Sequence, residues 1–256
     1  MSNRILEKFK QHQPSVGTFT HLKSMVAVEA LGVTGLDYVV IDMEHSPIAI
    51  DEAARYVTAA DAAGLTPFLR VNEATRSAVL RALDIGAMGI VVPCIETVEQ
   101  LRELVGHAKF HPAGNRGYCV TRDGRWGFAP SYQDGMMGYM DIQNADTLFI
   151  PQCETSGCLE NIEEIAAIDG VDGIMIGPYD LSIAMGIPGQ FDSPRFEDAV
   201  ARILKACKDA GKLSVIFTGA AADAKARLAQ GFDSALVGLD ALTLINAYKA
   251  IVKEVE

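Results

Sequence analysis

With 256 residues, 49% of them hydrophobic and 21% charged, the chain is long enough for one large domain with a sizeable core and too apolar for a disordered one. Lys and Arg number 22 against 33 Asp and Glu, a formal net charge of -11, which argues against nucleic acid or an anionic membrane surface as partner. No signal-like N-terminus, no apolar stretch near the roughly 20 residues that span a bilayer, and five cysteines without a CxxC pair lead us to expect a reduced, cytoplasmic protein.

Short β-branched apolar runs alternate with amphipathic segments along the whole chain. The first strand is predicted at 16–20 and the second at 37–42, where Tyr38-Val39-Val40-Ile41 is the unbroken run expected of a parallel strand covered on both faces. An alanine-rich helix at 51–63 leads to a strand at 66–71, and a second at 74–83 leads to a strand at 88–93. An amphipathic helix at 97–109 is followed by a polar, Gly- and Arg-rich stretch at 112–130. A methionine-rich helix at 132–143 then precedes the fifth strand at 147–154. Helices at 158–168, 193–210 and 221–230 alternate with strands at 173–177, 213–218 and 234–238, and a last helix covers 241–254. Gly64, Gly86, Gly170, Gly211 and Gly231 each stand just before a strand, where a helix end needs a residue tolerant of positive φ. Eight β/α units in one domain favour a closed (β/α)8 TIM barrel over an open doubly wound sheet. The long excursion between the fourth and fifth strands suits a functional loop or a contact with a neighbouring subunit.

Several chemistries have no anchor. Walker A, the dinucleotide GxGxxG and the GxSxG elbow are absent. His107 and His111 lack the Glu of a zinc protease motif and straddle a helix end, and Cys153 falls on the strand face opposite Glu154. Most lysines sit on helices or termini, Lys212 starts its strand, and Lys23, alone just past a strand's C-terminal end, opens a helix, which together disfavour a Schiff base. What remains is a set of polar residues at predicted strand C-termini, where barrel active sites gather. Strand two ends in Asp42-Met43-Glu44-His45-Ser46-Pro47, strand three carries Arg70, strand five ends in Gln152-Cys153-Glu154, and strand six runs into Gly177-Pro178-Tyr179-Asp180. An Arg inside an apolar strand requires a carboxylate or an anionic ligand. Glu154 and Asp180 at neighbouring strand ends, with no His or Cys expected between them, suit a hard divalent cation. The alternative is two separate loop carboxylates capping helices. His45 is the one histidine at a strand end and a candidate base, with Asp42 orienting it or lining the pocket.

These segments, together with Leu83-Asp84-Ile85-Gly86-Ala87, Asn115-Arg116-Gly117 and the run from Gly170 to Ser182, resemble the HpcH/HpaI aldolase family. The resemblance runs in order from about Val16 to Asp240, and its most specific parts are the GPxDLS and EHxP blocks. It implies a metal-dependent (class II) pyruvate aldolase that reversibly cleaves a 4-hydroxy-2-oxo acid, such as 4-hydroxy-2-oxoheptanedioate or a 2-keto-3-deoxy sugar acid, to pyruvate and an aldehyde. By the same resemblance Glu154 and Asp180 are metal ligands for Mg²⁺, Mn²⁺ or Co²⁺. Gln152 contacts substrate, and the backbone at Tyr179 and Asp180 holds the pyruvyl carboxylate. His45 is the base, Arg70 stabilises the enolate, and Asp84 raises the basicity of His45. Asp84 sits at a helix C-terminus, nominally the wrong end of the barrel; a neighbouring subunit or a shorter helix would resolve this. The resemblance also implies a hexamer that swaps the last helix between subunits.

The chain departs from the family in the segment 118–126, in Phe19 and His21 where Trp is usual nearby, and in Tyr179 where Ala is common. These differences touch the aldehyde side. Arg122 or Arg125 is a candidate for a distal substrate carboxylate, or else a solvated or inter-subunit arginine. Two rival readings are a CoA-thioester lyase of the citryl/malyl-CoA type and a non-catalytic small-molecule-binding barrel. The acidic composition offers little for a nucleotide, and a non-catalytic barrel would be expected to lack a ligand or the base.

Overall fold

The computed structural model describes residues 3–256. In chain order the elements are α1 (Arg4–Lys10), β1 (Ser15–Thr20), α2 (Met25–Gly32), β2 (Tyr38–Asp42), α3 (Ile50–Ala62), β3 (Thr66–Arg70), α4 (Arg76–Asp84), β4 (Gly89–Val92) and α5 (Val98–Ala108). Two short turns at Arg122–Gly127 and Pro130–Tyr132 then lead to α6 (Gly135–Asp146) and β5 (Leu148–Cys153). After these come α7 (Ser156–Glu160), α8 (Ile162–Ala166), β6 (Gly173–Ile176), α9 (Pro178–Ala184), α10 (Pro194–Asp209), β7 (Leu213–Thr218), α11 (Ala221–Gln230), β8 (Ser234–Leu239) and α12 (Asp240–Val255). The eight strands pair in parallel and in sequence order, and β8 closes on β1, so the chain is a single (β/α)8 barrel. Each predicted strand limit lies within one residue of the observed one. No helix among the described residues is long and apolar enough to cross a membrane.

Two helical features differ from expectation, α1 and the break between α7 and α8. α1, seven residues long, is too short for its apolar stripe of Ile5, Leu6 and Phe9 to mark a helix, and its order comes from tertiary contacts. Ile5 enters the barrel floor, and the Asn3 amide donates to the Met88 and Asp146 carbonyls. α2 is the helix expected to open at Lys23; it starts just after it, with Ser24 accepting from the Ala27 N–H, and buries only Val28. The helix expected at 158–168 is two, α7 and α8. Asn161 leaves the helical line at φ -107°, ψ 19°, and its side chain donates to the Gly157 carbonyl in competition with the backbone ladder.

Strand alternation separates two cores. Val39, Ile41, Leu69, Ile90, Phe149 and Cys153 face outward onto the helices. Tyr38, Val40, Phe68, Val91, Ile150 and Met175 face inward. Gly17 and Gly89 leave the space that the Tyr38 and Phe68 rings fill. A residual void of about 10 Å³, no more than a single water, shows the interior to be packed. The period-2 rule carries past the packed layers, so Asp42, Arg70, Gln152 and Glu154 continue the inward rows and emerge at the C-terminal mouth.

Candidate active site

Asp42 and Arg70 are register partners at the ends of β2 and β3. Arg70 donates through Nε (2.9 Å) and Nη2 (2.7 Å) to the two oxygens of Asp42, and its guanidinium lies 4.4 Å over the Phe19 ring. The sequence requirement for a carboxylate beside the strand-borne Arg is thus met by Asp42, with Glu44 Oε2 3.3 Å from Nη1. Asp42 is fully buried, which alone would raise its pKa. The close imidazole of His21 and the hydrogen bonds from Arg70 outweigh burial and hold the carboxyl below the ordinary range. His21 Nε2 lies 2.7 Å from Asp42 Oδ2, so both Asp42 oxygens are engaged and Arg70 is fixed before any substrate arrives. Asp42 accepts from the backbone N–H of Glu44 (3.0 Å) and of His45 (3.4 Å); its contact with His45 is to the backbone, not to the imidazole.

Across the mouth, one ligand atom each from Glu44, Cys94 and Glu154 lie within 4.8 Å of one another. The expectation of a centre free of cysteine is therefore corrected. Period 2 along β4 would turn Cys94 outward, but its φ of 56° breaks the alternation and brings the thiol to the mouth. There its N–H donates to Glu154 Oε1 at 2.8 Å and Sγ sits 4.0 Å from Glu44 Oε1. Gln152 donates through Nε2 to Glu154 Oε2, as their spacing of two required. Gly177 is needed here, because a Cβ would fall 2.8 Å from Gln152 Nε2 and 3.0 Å from Glu154 Oε2. Burial, then Asp180, push the Glu154 carboxyl up against the pull of the Cys94 N–H, Gln152 and Arg70. Glu44 is pushed up to about 7, first by burial and then by Glu154, Asp42 and Asp180, with Arg70 opposing. Asp180, exposed in the first turn of α9, stands beside this cluster but outside its 4.8 Å group. Gln152 Oε1, shielded from solvent, has no hydrogen-bond donor, and Glu44 Oε2, also shielded, has none closer than its ion-pair partner Arg70 Nη1. A crowd of acceptors short of positive charge is what a divalent cation would balance, and the residues present fit one.

His45 is exposed on the loop after β2, with Nε2 3.8 Å from Glu44 Oε2. Tyr179 is exposed and meets Phe191 and Phe217 through its ring. Asp84 lies elsewhere. At the C-terminus of α4 it accepts from Arg116 Nη2 at 2.7 Å, on the end of the barrel opposite His45 of the same chain. Arg122 and Arg125 also lie at that far end. They line a cleft of about 680 Å³ with Pro67, Met88 and Thr147, which mark strand starts. Glu44, Cys94 and His21 were not picked out as site residues from sequence. Glu44 adjoins His45 in the same block and was the one readable from its position.

The family model for HpcH/HpaI aldolase/citrate lyase matches residues 15–247. The chain belongs to the HpcH/HpaI aldolase/citrate lyase family. It is 30% identical to a hydroxypyruvate/pyruvate aldolase of Rhizorhabdus wittichii over 98% of both chains. It is also 30% identical to a 2-keto-3-deoxy-L-rhamnonate aldolase of Klebsiella pneumoniae, over 96% of this chain and 91% of that one. The crystal structure of an HpcH/HpaI aldolase/citrate lyase family protein from Burkholderia cenocepacia superposes with a TM-score of 0.90 at 33% identity over 99% of each chain. Aldolases and citrate lyases both make or break carbon–carbon bonds, and this HpcH/HpaI member is a carbon–carbon lyase.

Proposed function

We propose that the protein catalyses reversible, divalent-metal-dependent aldol cleavage of a 4-hydroxy-2-oxo acid to pyruvate and an aldehyde. One observation carries this reading: a buried, pre-positioned guanidinium faces a cluster of carboxylates short of positive charge at the barrel mouth. Relatives named for hydroxypyruvate/pyruvate and 2-keto-3-deoxy-L-rhamnonate support an oxo-acid substrate. Glu154 and Asp180, joined by Glu44, would hold the cation, which supplies a Lewis acid for the 2-oxo group. Mg²⁺, Mn²⁺ and Co²⁺ are the ions to test.

The chain's own groups then have separate tasks. The N–H groups of Tyr179 and Asp180 open the first turn of α9 without intrahelical acceptors and suit the pyruvyl carboxylate. Gln152 steadies Glu154 and contacts the substrate. His45 takes the proton of the C4 hydroxyl; the C3–C4 bond breaks, the aldehyde leaves, and the electron pair remains on the pyruvate enolate. Arg70 stabilises the enolate oxygen from a position its ion pair with Asp42 has already fixed. Asp84 is a positioning residue that reaches His45 from a neighbouring copy, in a hexamer that exchanges α12. The five free cysteines fit a reducing, cytoplasmic setting.

Pyruvate in deuterated buffer tests the proposal. Methyl-proton exchange should require protein and divalent metal, stop with a chelator, and slow by about 10²-fold in Arg70→Lys with the metal still bound. Exchange of acetyl-CoA instead, or of neither compound, would overturn it.

A further inference from the structure

We propose that the Cys94 thiol is a ligand of the metal centre and biases it towards Co²⁺ or Zn²⁺ over Mg²⁺. This rests on the metal-dependent reading above and extends it to a residue that reading does not use. The thiol is one of three side chains whose ligand atoms converge within 4.8 Å at the mouth. Its placement follows from two constraints on one residue. The left-handed backbone of Cys94 turns its N–H onto Glu154 Oε1 at 2.8 Å, and the same turn sets Sγ 4.0 Å from Glu44 Oε1. The two glutamates are thereby spanned by a single cysteine. Independently, Gln152, 1% exposed and held against Glu154, has an amide oxygen with no donor, a buried acceptor that a bound cation or its ligands would satisfy.

Carboxylates alone suit Mg²⁺, which takes oxygen ligands and rejects sulfur, whereas a thiolate favours the softer first-row ions. On binding, the Sγ–H bond breaks, the proton passes to solvent and an Sγ–metal bond forms, with no change of oxidation state. Cys119, also exposed but far along the chain in the β4–β5 connection, is a built-in control.

Metal-free protein titrated with Co²⁺ should develop a near-ultraviolet thiolate-to-cobalt charge-transfer band. Cys94→Ser should lose the band while still binding Co²⁺, and its preference for Co²⁺ over Mg²⁺, read by calorimetry, should fall by about tenfold or more. In unmutated protein, Co²⁺ should protect Cys94 but not Cys119 from iodoacetamide, read by peptide mass spectrometry, so the assignment does not depend on the variant folding. Tight Co²⁺ binding without the band and without protection would overturn the thiol ligand and leave the metal-dependent reading intact. Failure to bind any divalent cation would overturn both.

Discussion

Glu44 keeps its proton up to about pH 7 because it is half-buried among Glu154, Asp42 and Asp180 while the nearby guanidinium is committed to Asp42. Its native pKa lies above the ordinary 4.5, so the folded state binds more protons between those values and stability falls as pH rises through that window. In metal-free protein, Glu44→Gln should therefore be stabilising by about 2 kcal/mol at pH 8 and near neutral at pH 4.5, read from thermal melts across pH. Added divalent cation should erase the advantage. Asp42 has the opposite sign. Its native pKa is depressed, so its stabilisation is fully present above the usual carboxylate value of about 3.9 and is lost as pH falls below it. Asp42→Asn leaves the buried Arg70 without its partner and should cost about 3–5 kcal/mol at pH 7, shrinking in acid, as urea titrations at several pH values would show. Arg70 was legible from sequence because an apolar strand must answer for an embedded charge. Cys94 was not, because one left-handed residue undoes the alternation on which such a reading depends.

Strands were legible at the scale of elements because a barrel buries them on both sides, writing several, such as Tyr38-Val39-Val40-Ile41 and Gly89–Val92, as short unbroken apolar runs. α1 was not, since its order comes from contacts with the barrel floor. The long β4–β5 connection was recognised as an excursion, but what folds it down is tertiary. Arg116, over the Phe110 ring at 4.5 Å, donates to Asp84 (2.7 Å) and Asp123 (2.8 Å), and Tyr139 donates to Asp123 at 2.7 Å. Arg116 and Asp123 are nearly inaccessible, with side-chain exposures of 2% and 5%. Arg116→Met would keep the stem and remove the charge, leaving Asp123 buried with only its neutral donors Thr121, Gly124 and Tyr139, at a cost of about 2–4 kcal/mol. The loss should appear as a lowered urea midpoint, with proteolysis entering first between residues 116 and 135. An unchanged midpoint would mean that the connection is held by its aromatic contacts alone.

The whole molecule separates two residues that the family resemblance joins: His45 stands at the C-terminal mouth and Asp84 is bound to Arg116 at the other end. No rearrangement within a closed, packed barrel brings them together, so cooperation between them needs a second copy. The surface supports one. α12 buries only Asp240, whose carboxylate accepts from Thr20 Oγ1 and the His21 and Leu22 N–H groups, and leaves Leu242, Leu244, Ile245, Tyr248, Ile251 and Val252 exposed. An apolar helix face of this extent is more than an isolated chain needs to show water. If Asp84 serves His45 across such a contact, His45→Ala and Asp84→Asn each inactivate or slow every site, but a mixed oligomer rebuilds some sites from one intact residue of each kind. Random 1:1 mixing after denaturation and refolding should restore about a quarter of the sites, with the rest lacking one group or both. Pyruvate exchange should thus rise in the mixture above the mean of the two parents, while sedimentation velocity confirms that the mixed particle keeps the parental size. Activity equal to that mean, in particles of unchanged size, would confine Asp84 to its ion pair with Arg116.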